Sequence, residues 1–396
     1  MPPRKNPHRL DLRKQRFIEG HDGAKTIFEL YDMKHVTQID LRDNPRLGDE
    51  GVGTFVYFLE DCASRDASPL YGEWGLTELR LRNVGITDDG AEEVMGYARR
   101  TSRLKRLHLK VENIESPKTA SCIALKLNRS HISEFYLSFG TPIAASTICE
   151  FLSLLSAPHL DRLSQYIRAT ADSQKLTTAL IHYLLSPRSR ILTELYFPGH
   201  TFDPDSIDDI ADHLDRSNFT LQYLSFRQGE HMSSRSRGSL QRRAGVDPLP
   251  YEDRLTALLE RNRGLAFRVQ QAALRCLPSA RIILNAKRLP ASPPPPHPPP
   301  THFRLLDFPS ELVRLIVRHT SGDPTALSHA QAARLLKGAK GRGGLARAIQ
   351  RAQNKETEWP AVEGDPPVKG LAESWLASGG WDAWDCDVKD VTSGPA

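Results

Sequence analysis

The chain has 396 residues, 39% of them hydrophobic and 26% charged, with a formal net charge of +5. This suits one elongated domain with appendages; no apolar run approaches the ~20 residues of a membrane-spanning helix, and the opening MPPRKNPHRLDLRK lacks the apolar centre of a signal peptide. A weak positive excess permits an acidic partner without calling for nucleic acid, and the five scattered cysteines, Cys62, Cys122, Cys149, Cys276 and Cys386, read as free thiols of a reducing compartment, so the expected location is cytoplasmic or nuclear.

In chain order, Pro7 opens a segment in which Leu10 and Leu12 alternate as in a strand and Ala24, Ile27 and Leu30 follow at helical spacing. Val36 opens the next, with Ile39 and Leu41 as its strand and Asp49 and Glu50 at a helix start, where acids suit the positive end of the dipole. The polar stretch SRDASPLYGEWG then reads as a surface loop. The clearest segment is Leu76 to Ser102, where Leu79 and Leu81 alternate, Val84 and Ile86 turn the chain, and Gly90 opens a helix. Further starts fall at Leu104, Ile132, Leu160, Leu192 and Leu221, with Gln165 at an inward strand position of the segment from Leu160. Amphipathic helical faces recur between them, among them Ile148, Phe151, Leu152 and Leu155, then Ile207, Ile210, Ala211 and Leu214.

The intervals between starts are 29, 40, 28, 28, 28, 32 and 29 residues. Such a period predicts a solenoid, in which each segment buries its apolar face only against its neighbours. The stretches LTELRLRNVGITDDG, VTQIDLRDNPRLGDEG and LTELYFPGHTFDPDS resemble leucine-rich repeats of the ribonuclease-inhibitor type. The resemblance implies an α/β horseshoe, with parallel strands on the concave face and helices outside; it specifies a fold far better than a function. It predicts one parallel sheet, with Leu79, Leu81, Leu107, Leu109, Leu195 and Phe197 buried.

The repeats are expected over residues 1–264, interrupted by a polar, basic, mobile loop over 228–250 and closed by capping helices over 265–290. Residues 291–300, ASPPPPHPPP, form an extended spacer on the order of 30 Å. A helical tail over 301–353 and an acidic, tryptophan-bearing, disordered tail over 354–396 complete the chain. In the helical tail, FRLLDFPSELVRLIVRHTSG resembles the opening helix of an F-box, matched at Leu306, Pro309, Glu311, Leu312 and Ile316. That resemblance implies docking on the adaptor of a cullin-type ubiquitin ligase, which would make the chain a substrate receptor. A plain docking or capping helix fits the same residues.

Aligning the segments sets residues in columns at about the ~5 Å spacing of neighbouring strands. One column reads Arg13, Arg42, Arg82, Lys110, Ser138, Tyr166, Pro198, Arg227; a second reads Asp11, Asp40, Arg80, His108, Tyr136, Ser164, Tyr196, Ser225. A third reads Arg9, Gln38, Glu78, Arg106, Glu134, Arg162, Glu194, Tyr223. Cations gather in the first half and tyrosines in the second. Arg13, Arg42, Arg80, Arg82, Arg106 and Lys110, with the anchors Tyr136, Tyr166 and Tyr196, are therefore the candidate residues for a protein partner. Asp11, Asp40 and Glu78 also fit a bland alternative, surface ion pairs of little energetic weight. Neither a metal-ligand spacing nor a nucleophile or phosphate loop is legible, so no cofactor and no enzymatic activity are expected. A rival function, regulation of a small GTPase, follows from a resemblance of the repeats to GTPase-activating proteins of nuclear transport.

Overall fold

A computed structural model of the chain describes residues 8–15, 18–65, 75–114, 117–166, 169–170, 173–189, 191–197, 202–226, 250–285 and 310–322, with Leu327, Ala332 and Leu335. Among them the strands are β1 (Arg9–Asp11), β2 (Gln38–Asp40), β3 (Glu78–Leu81), β4 (Arg106–Val111), β5 (Glu134–Phe139), β6 (Ile143–Ala144), β7 (Arg162–Tyr166), β8 (Ala169–Thr170), β9 (Glu194–Tyr196) and β10 (Tyr223–Ser225). The helices are α1 (Gly20–Leu30), α2 (Gly48–Arg65), α3 (Asp88–Arg100), α4 (Pro117–Leu127), α5 (Ala145–Leu154), α6 (Ser173–Leu185), α7 (Pro204–Ser217), α8 (Pro250–Asn285) and α9 (Ser310–His319). Eight of these strands form one open parallel sheet in the order β1-β2-β3-β4-β5-β7-β9-β10, so spatial order follows chain order.

Register follows from the leucine alternation. Leu10 pairs with Ile39, Ile39 with Leu79, Leu79 with Leu107, Leu107 with Phe135, Phe135 with Leu163, Leu163 with Leu195 and Leu195 with Leu224. All of these join the buried core, together with the helix residues Ile27, Phe55, Val94, Ile123, Phe151, Leu180 and Ile210. Each such side chain contributes ~1.5–3 kcal/mol when fully buried, and a one-residue slip would turn the row to solvent. Leu79, Leu81, Leu107, Leu109, Leu195 and Phe197 are buried as the spacing predicts. Each helix packs on the next, from α1 on α2 to α6 on α7.

Backbone groups ahead of the strands are satisfied in a relay. The His8 carbonyl accepts from the N–H groups of Thr37 and Gln38, Thr37 from Thr77 and Glu78, and Thr77 from Lys105 and Arg106. The same sharing continues through Lys105, Ser133, Asp161 and Thr193 to Tyr223. Parallel strands held this way leave no buried amide orphaned where they begin. After the first three strands the chain turns through a residue at positive φ, Lys14 (57°), Asp43 (63°) and Asn83 (56°), a conformation that Asp and Asn tolerate. Gly85, at φ 76°, passes so close to the Pro45 carbonyl that a Cβ would collide with it.

Two features differ from expectation. β6 and β8 pair as a separate two-residue parallel ladder, too short to leave a periodic signature. The capping helices expected from residue 265 do not start afresh: the single α8 begins at Pro250 and runs through Gly264, because one glycine costs only ~1 kcal/mol in a helix interior.

The described contacts divide the chain into two compact units, Met1–Leu259 and Glu260–Ala396. In the second, α8 buries Leu265, Val269, Ala272, Cys276 and Ala280, while α9 buries Val313 and Val317. The Cys276 thiol donates to the Val317 carbonyl at 3.3 Å. Of the loop expected over 228–250, Pro250 is helical and opens α8, and the rest lies outside the described residues, as do the proline spacer, Leu306, Pro309 and the acidic tail.

Candidate partner-binding face

The alternation that sends leucines into the core sends the intervening residues to the opposite face of the sheet. Register brings Arg9, Gln38, Glu78, Arg106, Glu134, Arg162, Glu194 and Tyr223 into one row. Asp11, Asp40, Arg80, His108, Tyr136, Ser164, Tyr196 and Ser225 form the next. Both rows are those that the spacing predicts.

Asp40 is the electrostatic centre of the first strands. Only 2% exposed, it accepts from Nε and Nη2 of Arg42, both at 2.8 Å, and lies 3.6 to 3.9 Å from Arg9, Arg80 and Arg13. Burial pushes its carboxyl up, but hydrogen bonds and charge from Arg42 and the charge of Arg80 outweigh that and hold it below the usual range. Glu78, also buried, lies 2.5 Å from Arg80 and 2.9 Å from Arg106. From there the charges alternate along the row: Arg106 is 3.6 Å from Glu134, Glu134 3.4 Å from Arg162, and Arg162 2.6 Å from Glu194. The expectation of weak surface pairs is therefore corrected at Asp40 and Glu78. Long guanidinium side chains from adjacent strands cover these two carboxylates, so removing a partner leaves a buried charge poorly compensated.

His108 sits in the middle of this field. Its ring stacks on Tyr136 at 3.9 Å with planes 9° apart, and its pKa falls to about 3, first through burial and then through the charges of Arg80 and Arg42. It is neutral at physiological pH.

The predicted cations differ in how firmly they are engaged. Arg13 makes a bidentate pair with Asp11 at 2.8 and 2.7 Å, yet its side chain stays 47% exposed. Arg42 is 28% exposed and clamped on Asp40. Lys110 donates to Asn83 at 2.7 Å and to Glu112 at 2.9 Å. Arg82 is exposed, and its side chain makes no ion pair among the described residues. Tyr136 and Tyr166 are half-buried at the face. Tyr196 is only 8% exposed; it donates to Glu194 at 3.0 Å and packs on Tyr223 at 4.5 Å, which corrects its reading as a free anchor.

In the second unit, the backbone of Glu311 is helical, Ile316 is half-buried, and Leu312 and Leu315 are exposed by 43% and 49%. The buried stripe of α9 is Val313 and Val317, one step round from the matched residues. Among the described residues no group of three or more His, Cys, Asp or Glu gathers to hold a metal, and no helix is long and apolar enough to cross a membrane. No family model matches the chain, and no curated protein matches it in sequence.

Proposed function

We propose that the first unit is a leucine-rich-repeat solenoid whose outward sheet face recognises a protein partner, and that α9 docks a second protein, of the kind a ubiquitin-ligase adaptor represents. What supports the first part is one observation above the others. Eight parallel strands in chain order carry outward side chains whose buried charges are already paired, while exposed cations such as Arg82 and Arg13 stand above them. A face of this kind is preorganised, so a partner need not order it on binding. What supports the second part is that α9 exposes Leu312 and Leu315 beside a separately buried stripe, an arrangement suited to helix recognition.

Affinity purification with the full chain, beside the variants Arg82→Glu with Tyr166→Ala and Leu312→Asp with Leu315→Asp, tests both parts. Proteins lost with the first pair belong to the sheet face, and proteins lost with the second belong to α9. Retention of an identical set by all three forms would refute the reading.

A further inference from the structure

The two halves of the face differ in charge. On β1 to β4 the cations Arg9, Arg13, Arg42 and Arg80, then Arg82, Arg106 and Lys110, stand against Asp11, Asp40 and Glu78, with Asp43 and Glu112 alongside. Asp40 and Glu78 are buried under the guanidiniums that they hold, so they position those groups and present little negative charge outward. From β5 to β10 Arg162 pairs with Glu134 and Glu194, Glu134 also reaches Arg106 of β4, and tyrosines and serines fill the described remainder. The ring of His108 senses the same imbalance, since Arg80, Arg42 and Arg106 all disfavour its protonation against a single opposing carboxylate, Asp40.

Spacing selects what can meet these cations. Arg42 and Arg82 follow β2 and β3 at the position that Lys110 holds in β4, so continuing the register sets the three along a line across the sheet with steps of ~4.8 Å. A helix presents side chains at i, i+4 and i+7 at steps of ~5–6 Å, whereas an extended segment repeats a face every ~6.7 Å. Over the two steps from Arg42 to Lys110, ~9.6 Å, a helix rises ~10.5 Å across seven residues and stays within ~1 Å of register, while an extended segment covers ~13 Å and drifts by ~4 Å, most of a strand spacing.

We propose that the cationic half of the face holds an acidic helix of a partner protein, laid across β1 to β4 with carboxylates at i, i+4 and i+7 on Arg42, Arg82 and Lys110. This rests on the reading of the face as a partner surface. Single-stranded nucleic acid fits less well. Base stacking needs free ring faces, and those of His108 and Tyr136, like those of Tyr196 and Tyr223, are turned on each other.

Fluorescence anisotropy with the full-length protein tests this, using three labelled probes: a glutamate-striped helical peptide, a peptide of the same composition interrupted by proline, and oligouridylate. The striped peptide should bind at least about tenfold more tightly than the broken one, with association slowed by salt. Arg82→Glu should weaken it by a further factor of about ten; because Arg82 holds no ion pair among the described residues, circular dichroism should show an unchanged fold. Equal binding of the two peptides, binding of neither, or indifference to Arg82→Glu would overturn the acidic helix. Tighter binding of oligouridylate would replace it with a nucleic-acid site. A protein partner that depends on Tyr166 but not on Arg82 would leave the partner face standing and remove only the acidic helix.

Discussion

Asp49, on α2, caps the helix of the following segment at Thr87: its Oδ1 accepts from the Thr87 N–H at 2.7 Å, and its Oδ2 accepts from the Thr87 hydroxyl. The same Oδ1 accepts from the Gly90 N–H at 3.1 Å. Thr87 is the N-cap residue of α3 yet makes no cap bond with its own side chain, so the preceding segment supplies both the acceptor and the negative charge at the helix start.

Removing this carboxylate with Asp49→Ala should cost ~1–2 kcal/mol and speed hydrogen exchange at the Gly90 amide. Gly90→Ala provides the converse test. Alanine is the better helix former by ~1 kcal/mol, but its Cβ would strike the Asp49 carboxylate. A net loss of stability is therefore expected. A net gain would show that the cap is dispensable.

Acid should weaken the first unit through His108. Its folded pKa of about 3 lies below the ordinary imidazole value of 6.5, so the unfolded chain binds the extra proton first as pH falls. The stabilising contribution is complete above pH 6.5 and is lost on descent toward pH 3. Relative to His108→Gln, the wild-type chain should lose up to ~1.4 kcal/mol for each pH unit within that window. His131 and His159, whose pKa values are also lowered, remain in both proteins and cancel from the difference. Denaturation midpoints measured at pH 6 and pH 4.5 settle the matter, and parallel curves would exclude His108 as the cause.

Gln165 is legible as an oddity in the sequence, since it breaks the leucine pattern at an inward position. It is fully buried beside Leu137, and neither its amide oxygen nor its nitrogen has a hydrogen-bond partner among the described residues. An unsatisfied buried amide costs ~1–3 kcal/mol, so Gln165→Leu should raise stability by a similar amount. A loss on this substitution would mean that the amide has a partner in solution.

Strand phase and register were readable because period-two alternation admits one phase only, and Leu79 and Leu107 declare it without help from the rest of the chain. The burial of Asp40 was not readable. Alternation places it outward, and only the convergence of Arg9, Arg13, Arg42 and Arg80 from three strands covers it. Nor was the role of Asp49, because a carboxylate in the first turn of one helix reads as that helix's own dipole partner, while its target lies 38 residues downstream. Side-chain cover of this kind depends on distances between segments, which a linear pattern does not carry.

On α9 the two apolar stripes should separate by experiment. Val317→Asp places a charge at a site only 2% exposed, beside the carbonyl that accepts from Cys276, and should destabilise the second unit by several kcal/mol. Leu312→Asp with Leu315→Asp alters exposed positions and should leave thermal stability nearly unchanged while abolishing binding of a ubiquitin-ligase adaptor. If the wild-type chain shows no adaptor binding in a direct titration, the F-box resemblance carries no function here.

Arg42 and Arg82 stand at the same position on neighbouring strands, and a reading of their columns alone treats them as equals. Their surroundings do not. Arg42 holds Asp40 through two hydrogen bonds of 2.8 Å, whereas Arg82 is exposed and unpaired among the described residues. Arg42→Glu would set a second carboxylate against a buried one; Arg9, Arg80 and Arg13 remain within 3.9 Å and offset part of the loss. The expected cost is ~1–3 kcal/mol, with the urea midpoint lowered at unchanged slope. Arg82→Glu breaks no pair among the described residues and should fall within ~0.5 kcal/mol of wild type. Any partner affinity lost in Arg82→Glu is then a property of the interface, while loss in Arg42→Glu mixes interface with fold. Equal destabilisation by the two variants would mean that the Asp40 cluster contributes nothing beyond a solvated ion pair.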